Sequence, residues 1–387
     1  MPDFALCIMS YFDPPPDFQQ AVTRALRAWR KVGSSESAIL DGLYLFDRQQ
    51  QSGKLDARLF TNQILQLGLD RLEEKLPDQA QILMLRFQDD EPREVAADKV
   101  GLSASGLDKV QRKALKALAG EIWQLELQAL AERAHKLLLS LPQSGAQELF
   151  GVEAIVNDLL DLLQADNGPR TIILAGIGGI GKTSLALELV RQAAFDKRFQ
   201  LFAFVPLPAA SEAVISPDNL FDSCLAKLAQ IILPAAAPLP LPDRIQALQQ
   251  HMEEHPGVIV IDNLETPRNL DYLLQQLSGL FNSSRLIYTS RVEPSALSPG
   301  HVQRLAELDT KSSRQLLRAH AAGKNIAGVA DLSDEELNEI VALTGGNPLA
   351  LKLVAGLLAR LSLADVLAGM QSGRDRSVEK MYRHIYR

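Results

Sequence analysis

The sequence predicts an α/β domain built on a parallel, doubly wound sheet, preceded by an all-α amino-terminal domain and followed by a small helical domain. Over residues 149–308, short apolar runs rich in β-branched residues alternate with helical patterns, which is typical of βαβ units. Residues 1–140 and 309–387 have helical periodicity instead. Residues 141–148 contain proline, serine and glycine and predict a linker, while the proline-rich residues 233–242 predict an extended connection.

Composition narrows the class of protein before any motif is considered. The chain has 387 residues, of which 47 % are hydrophobic and 22 % charged, which is typical of a globular protein with two or three domains. Its net charge of −7 argues against a chain-wide nucleic-acid-binding surface but permits one local basic face. Two cysteines, Cys7 and Cys224, are too few for a disulfide framework. Because there is no basic leader and no apolar run of membrane-spanning length, we expect a cytoplasmic protein without membrane contact.

Residues 176–183 match the P-loop pattern GxxxxGK[ST] and directly follow the apolar run 171–175. Glycines allow backbone N–H groups to surround phosphate oxygens, and the helix that follows adds the positive end of its dipole. Lys182 is expected to contact the β- and γ-phosphates, and Thr183 to bind Mg²⁺. The pattern therefore predicts a P-loop NTPase that binds ATP or ADP with Mg²⁺. The alternative is a turn that is merely rich in glycine.

Two further strands end in charged residues that suit this site. The aliphatic run 257–261 ends at Asp262, which is the expected partner of Mg²⁺. The next residue is Asn263 rather than a second acid, which predicts slow hydrolysis. The run 285–290 is followed by Arg291, which is expected to sense the γ-phosphate because it lies at the carboxyl end of a parallel strand. A surface arginine is the alternative for Arg291.

These motifs, in this order, resemble the NB-ARC-type ATPases of the STAND class over about residues 149–387. Residues 149–153 are similar to the family's opening motif, which lies against the adenine, with Val152 in place of the usual arginine. Residues 288–291 are similar to its sensor strand. Residues 345–350 resemble the Gly-x-Pro turn of its helical lid, and a helix break of ordinary type is the alternative there.

The resemblance implies site residues, a regulatory role and an assembly. Lys182, Asp262 and Arg291 would be the catalytic residues, and Thr183 and Asp262 the magnesium ligands. The implied nucleotide contacts are Phe150, Gly151, Val152, Gly176, Gly178, Gly179, Ile180, Gly181, Lys182, Thr183, Ser184 and Pro348. The family also implies an ATP-dependent homo-oligomer. Its next domain, a winged helix with a Met-His-Asp sensor, would begin near Arg387, so we expect either a fragment of a longer protein or a short form without that sensor.

The amino-terminal domain contains a predicted helix-turn-helix over about residues 76–120. A helix is predicted over 92–100, a tight turn over 101–103 and a second helix over 104–118. This stretch resembles the region-four helix-turn-helix of bacterial sigma factors, which implies a bacterial protein. Leu107, Val110, Ala114 and Leu118 are predicted to face inward. The opposite face carries the candidate DNA-binding residues Lys109, Arg112, Lys113 and Lys116.

The partner of the amino-terminal domain stays open between DNA and protein, because residues 1–150 hold more acidic than basic residues. The preferred interpretation of the whole chain is a nucleotide switch with slow ATP hydrolysis, acting in transcriptional regulation or defence signalling. An active AAA+-type ATPase acting on DNA, in transposition or remodelling, is the main alternative. A small-molecule kinase is a third, although no substrate-pocket motif supports it.

Overall fold

A computed structural model divides the chain into two compact units, Met1–Lys136 and Leu137–Arg387. The residues that it describes are 13–30, 40–52, 57–139, 141–142, 149–208, 216–265, 267–295 and 300–372. Most of the predicted linker, residues 143–148, and the end of the predicted lid domain, residues 373–387, lie outside the described residues.

The first unit is helical throughout its described residues. Its helices are α1 Phe18–Arg27, α2 Tyr44–Ser52, α3 Ala57–Lys75, α4 Pro77–Leu83, α5 Arg93–Lys99 and α6 Ala104–Leu138. Helices α3 and α6 approach closely at Gly68, where a Cβ would lie 2.5 Å from the Cγ1 of Ile122. Leu65 and Leu118 are fully buried in the same core. The small residue at the contact therefore lets larger apolar side chains pack around it.

A buried carboxylate fixes the start of α2. Glu126 on α6 is 4 % exposed, and its two carboxylate oxygens accept hydrogen bonds from the backbone N–H groups of Tyr44 (2.6 Å) and Leu45 (2.9 Å). Those N–H groups belong to the first turn of α2, where the helix has no internal acceptors for them. The carboxylate thus satisfies donors that would otherwise be buried without partners.

The helices of the predicted helix-turn-helix share a small core. Helix α4 continues through the π-helical turn Met84–Gln88, and Ile82, Ala96, Ala97 and Leu107 are buried together around it. A turn separates α5 from α6 at the residues that the sequence indicates. Helix α6 runs 20 residues past the predicted end at 118 because no proline interrupts its apolar periodicity.

The second unit contains a five-stranded parallel sheet with the order β2-β3-β4-β1-β5. The strands are β1 Thr171–Ala175, β2 Leu201–Pro206, β3 Gly257–Leu264, β4 Arg285–Ser290 and β5 His301–Arg304. Every residue of β1 and β4 is buried, as expected for parallel strands covered on both faces. The α/β fold of a P-loop NTPase is therefore confirmed. Because β4 lies between β1 and β3, the carboxyl ends of all three strands meet at one edge.

Helices cover this sheet within the same unit. They are α7 Glu153–Gln164, α8 Lys182–Ala193, α9 Pro217–Ile232, α10 Leu241–Glu254 and α11 Pro267–Ser278. Leu225 and Leu274 pack with Ile259 in the main core. The expected extended connection over 233–242 is wrong, because a 3₁₀ turn spans Pro234–Ala236 and α10 already begins at Leu241. A proline is tolerated in the first turn of a helix, where its missing N–H has no acceptor to lose.

Among the described residues, five short helices follow β5 in the region predicted as a lid, and they are called the lid below: α12 Thr310–Lys324, α13 Ala327–Ala330, α14 Asp334–Thr344, α15 Pro348–Leu358 and α16 Leu363–Ser372. Leu317, Leu337 and Leu351 are fully buried in the lid's core. Gly345 ends α14 in the left-handed conformation (φ 61°), and Pro348 occupies the first turn of α15. The break between these helices is therefore sharp. None of the described helices is both long enough and apolar enough to cross a membrane.

Candidate functional site

The P-loop connects β1 to α8 and depends on two left-handed glycines. Gly181 (φ 107°) precedes the first residue of α8, so the helix begins directly after the loop. Gly179 (φ 73°) lies so close to the lid that a Cβ there would be 2.5 Å from the Cβ of Leu349. Both positions need glycine, one for its backbone conformation and the other for space as well. The loop's shape is that of a phosphate cradle at a helix N-terminus.

Lys182 folds back over the P-loop. Its Nζ donates hydrogen bonds to the carbonyl oxygens of Gly176 and Ile177, both at 2.8 Å. Burial, followed by repulsion from Arg291, lowers the pKa of Lys182 to about 8, although nearby carboxylates act in the opposite direction. Placing an ammonium group where it is partly desolvated and beside a second cation favours an anion in its vicinity.

Asp262 joins the P-loop to the neighbouring strands. Its Oδ1 accepts hydrogen bonds from the Thr183 hydroxyl at 2.8 Å and from the Thr289 hydroxyl at 2.5 Å. A hydroxyl and a carboxylate in contact are hard oxygen donors of the kind that Mg²⁺ prefers, so these residues fit the predicted ion. No group of three or more metal-ligating side chains occurs among the described residues, and the remaining ligands would have to be water and phosphate.

The strand that carries Asp262 is bent directly after it. Asn263 has a left-handed backbone (φ 77°), and the β3–β4 register shifts between Ile261 and Leu264. The N–H of Asn263 donates to the Thr289 hydroxyl at 2.9 Å, and its side-chain amide donates to the Leu207 carbonyl oxygen at 3.4 Å. A left-handed non-glycine residue costs free energy, so neighbouring contacts must hold it in place.

Arg291 forms an ion pair with Glu265, with 3.0 Å between its Nε and the Glu265 Oε1. Both side chains are largely shielded, since Arg291 is 29 % and Glu265 15 % exposed. The sequence predicts that Arg291 senses the γ-phosphate, but it does not indicate an ion-pair partner for this side chain. In the structure its guanidinium borders the P-loop cavity while Glu265 holds it.

P-loop residues, Asp262, Arg291 and residues of the lid line a cavity of about 580 Å³. This volume lies within the range of small-molecule sites. The predicted contacts that line it are Phe150, Gly151, Val152, Gly178, Gly179, Ile180, Gly181, Lys182, Thr183, Ser184, Asp262, Arg291 and Pro348. Gly176 is the one predicted contact, among those described, that does not line it. Instead, a Cβ at Gly176 would lie 3.0 Å from the Leu305 carbonyl oxygen, so the glycine serves close backbone packing.

The lid also places residues at this site that were not predicted from the sequence, among them Lys352 and Asn347. Lys352, one helical turn after Pro348, lines the cavity, and burial lowers its pKa. Asn347 is fully buried, and its amide donates to the Gly178 carbonyl oxygen at 3.1 Å. An asparagine before a helix-starting proline signals a cap, but nothing in the sequence pairs it with the P-loop.

The candidate DNA-binding residues lie in the other unit, on α6. Lys109, Arg112, Lys113 and Lys116 are all exposed, whereas Leu107, Ala114 and Leu118 are buried and Val110 is half-buried. The helix therefore has the predicted basic outer face. The likeness of this module to a sigma-factor domain stays a prediction.

Comparison with known protein families identifies the segment that carries the P-loop. Residues 152–325 match the NB-ARC domain. The matched residues include the P-loop, Asp262 and Arg291, so this part of the chain is similar to that domain, as the motifs indicate. Pro348 and Asn347 lie beyond the matched residues.

The curated proteins that this chain is similar to include regulatory and resistance proteins. The regulatory protein AfsR of Streptomyces coelicolor is 27 % identical over 305 residues, which cover 75 % of this chain and 29 % of the relative. The TMV resistance protein N of Nicotiana glutinosa is 24 % identical over 256 residues, which cover 65 % of this chain and 22 % of the relative. The chain spans less than a third of the length of the curated relatives it matches.

Solved structures give weaker likenesses. A STAND protein with a tetratricopeptide repeat sensor from Pyrococcus horikoshii has a TM-score of 0.35 at 19 % identity, covering 57 % of this chain and 32 % of that one. The ORC1 protein of Aeropyrum pernix, solved in complex with DNA, has a TM-score of 0.42 at 15 % identity. The alignment covers 64 % of this chain and 72 % of that one. Such scores carry no argument about function.

Proposed function

We propose that this chain is a STAND-type switch that binds ATP or ADP with Mg²⁺, hydrolyses ATP slowly or not at all, and couples nucleotide state to its amino-terminal helices. One observation carries the proposal. The Asp262 carboxylate accepts a hydrogen bond from the P-loop hydroxyl of Thr183 in a cavity that is bordered on its other side by the lid residue Pro348. A switch needs such a ligand site between elements that can move relative to each other.

Each residue has a separate task in this proposal. The backbone N–H groups at the start of α8 bind phosphate oxygens, and Lys182 supplies the positive charge for the β- and γ-phosphates. Thr183 and Asp262 hold Mg²⁺, which neutralises phosphate charge when bound. Phe150, Val152 and Pro348 contribute apolar surface to the cavity, which suits the faces of an adenine ring.

Slow hydrolysis is proposed because Asp262 is not followed directly by a second carboxylate that could polarise water. The side chain after Asp262 is the amide of Asn263, which donates to a backbone carbonyl. The next carboxylate along the chain, Glu265, is held by Arg291. A general base must reach the proton that it removes, and the Glu265 carboxylate is already engaged by the Arg291 guanidinium.

The biological role is proposed from the relatives. Their names describe a regulatory protein and a resistance protein, which supports a role in transcriptional regulation or defence signalling. A cytoplasmic location remains part of the proposal. The amino-terminal helices would act on DNA or on a protein, and ATP would favour a homo-oligomer. The alternative is an active AAA+-type ATPase acting on DNA, which would need faster turnover.

The proposal is tested by measuring ADP affinity and steady-state ATP turnover on the same preparation of the full chain. We expect ADP–Mg²⁺ to bind and ATP turnover to stay below about 1 s⁻¹, the low end of typical enzymes. Lys182→Ala should weaken nucleotide binding about 100-fold, because it removes charge-assisted hydrogen bonds to phosphate.

Lys227→Ala is the matched control. The Nζ of Lys227 also donates to a backbone carbonyl oxygen, that of Pro206 at 2.7 Å, but Lys227 does not line the cavity. Its removal should leave ADP affinity unchanged. Full affinity in Lys182→Ala would reject the site, and turnover well above 1 s⁻¹ would favour the AAA+ alternative.

A further inference from the structure

Asn347 is the N-cap of lid helix α15. It is fully buried, and its Oδ1 accepts hydrogen bonds from the N–H groups of Leu349 at 3.0 Å and Ala350 at 3.2 Å. Capping requires only an acceptor oxygen, which aspartate, serine or threonine supplies equally well. Capping therefore accounts for the Oδ1 atom of Asn347 but does not require its Nδ2 donor.

The amide donor is used by the P-loop. The Nδ2 of Asn347 donates to the Gly178 carbonyl oxygen at 3.1 Å, and the N–H of Leu349 donates to the Gly179 carbonyl oxygen at 3.2 Å. Two successive P-loop carbonyls thus bind the first turn of α15. A buried carbonyl that loses its donor is costly, so this contact constrains both partners.

Lys182 holds the two preceding carbonyls of the same loop, those of Gly176 and Ile177. This is the side chain that the proposed function assigns to phosphate. When Lys182 moves to phosphate, Asn347 is the side chain, within the described part of the chain, that still holds the loop at Gly178. The P-loop carbonyls are therefore bound by two side chains, Lys182, which is proposed to bind phosphate, and Asn347 of the lid.

The turn that carries Asn347 is itself anchored, which allows it to transmit movement. The Gly346 carbonyl oxygen accepts from the Leu308 N–H at 3.1 Å. Gly346 has φ 77°, and a Cβ there would lie 2.3 Å from the Leu308 carbonyl oxygen. A turn that is packed this tightly cannot absorb a shift of the P-loop by bending alone.

We propose that Asn347 is a positioning residue that couples the P-loop to the lid, so that phosphate affinity and lid placement are set together. The inference rests on the proposed nucleotide switch. Coupling of this kind is reciprocal, because whatever the lid contributes to nucleotide affinity the nucleotide contributes to lid stability.

The test uses Asn347→Asp and Asn347→Ser in the full chain. Both variants keep a capping oxygen, but aspartate has no donor at neutral pH and the serine hydroxyl is shorter. Without nucleotide, we expect faster hydrogen exchange in peptides covering 176–184 and retained protection in α15. ADP affinity should fall about 10-fold, which corresponds to about 1.4 kcal/mol, with the larger loss in the aspartate variant. If that variant fails to fold, the serine variant decides.

Ser333→Ala provides the control for a purely structural role. Ser333 caps α14 by accepting from the Glu336 N–H at 3.2 Å and has no contact with the P-loop among its hydrogen bonds in the described residues. It should lower the melting temperature and leave ADP affinity unchanged. If Asn347→Ser behaves in the same way, the coupling proposal is overturned. If Lys182→Ala also binds ADP fully, the proposed function itself has failed.

Discussion

At the residue scale, Tyr288 and Thr289 are neighbours on β4 with opposite environments for their hydroxyls. The Tyr288 side chain is fully buried, its hydroxyl has no hydrogen-bond partner among the described residues, and burial raises its pKa well above the usual value. The Thr289 hydroxyl donates to Asp262 and accepts from the N–H of Asn263. One hydroxyl is thus a cost to the folded state, while the other organises the candidate magnesium site.

We expect Tyr288→Phe to raise the free energy of unfolding by about 1 kcal/mol, because it removes a buried polar atom that has no partner. Thr289→Val, of similar volume, should lower it by about 1–3 kcal/mol, because the partly buried Asp262 carboxylate and Asn263 N–H each lose one hydrogen bond. Urea unfolding of both variants measures the difference. A destabilised Tyr288→Phe would mean that its hydroxyl is hydrogen-bonded in solution.

Sequence reasoning predicts the site residues whose roles follow from a local motif. The P-loop glycines, Lys182 and Thr183 follow a fixed spacing, and Asp262 lies near the carboxyl end of β3, which parallel packing brings to the same edge. Asn347 and Lys352 could not be found this way. Their contacts with the cavity or the P-loop depend on how the lid folds over the sheet, and no local spacing encodes that distance.

At the element scale, the outer face of α6 determines whether the amino-terminal unit can bind DNA. Arg112→Glu combined with Lys113→Glu reverses two exposed charges on that face. We expect DNA affinity to fall at least about 10-fold, and the slope of log affinity against log salt to lose about two units, because each phosphate contact contributes about one. Fluorescence anisotropy with labelled duplex DNA at several salt concentrations measures both quantities.

Lys136→Glu is the control for this face. Lys136 is also exposed, near the other end of the same helix, so its reversal changes net charge without touching the proposed surface. It should leave the salt slope nearly unchanged. If the Arg112 and Lys113 reversal has no larger effect than this control, or if no salt-sensitive binding exists, the module is assigned to protein docking.

The elements themselves were largely predictable, with instructive exceptions. Apolar runs predict β1, β3 and β4, because both faces of a parallel sheet are buried, whereas the half-exposed edge strand β5 has no such run and is not predicted. The prolines of residues 233–242 led to the wrong prediction of an extended connection. In the structure, Pro234 lies in a 3₁₀ turn and Pro242 in the first turn of α10. A proline excludes the helix interior but not its first turn, so the residue type alone could not separate the two outcomes.

At the scale of the whole molecule, the two units have separate hydrophobic cores. Leu65 and Leu118 belong to the core of Met1–Lys136, whereas Ile259 and Leu351 belong to cores of Leu137–Arg387. The change near residue 140 from helical periodicity to alternating strand and helix patterns predicts this division into a helical part and an α/β part. The boundaries predicted for the individual domains, including the start of the lid at 309, stay predictions.

Separate cores lead to a final prediction for the full chain. Calorimetry should resolve two unfolding transitions, because each unit buries its own apolar surface. ADP–Mg²⁺ at about 100 times its dissociation constant should stabilise the unit that contains the P-loop by about 2.7 kcal/mol and raise only that transition. In Lys182→Ala, which should bind about 100-fold more weakly, the stabilisation should fall to about 0.4 kcal/mol while both transitions remain. An equal shift of both transitions with ADP would contradict this view, because it would mean that the units unfold as one.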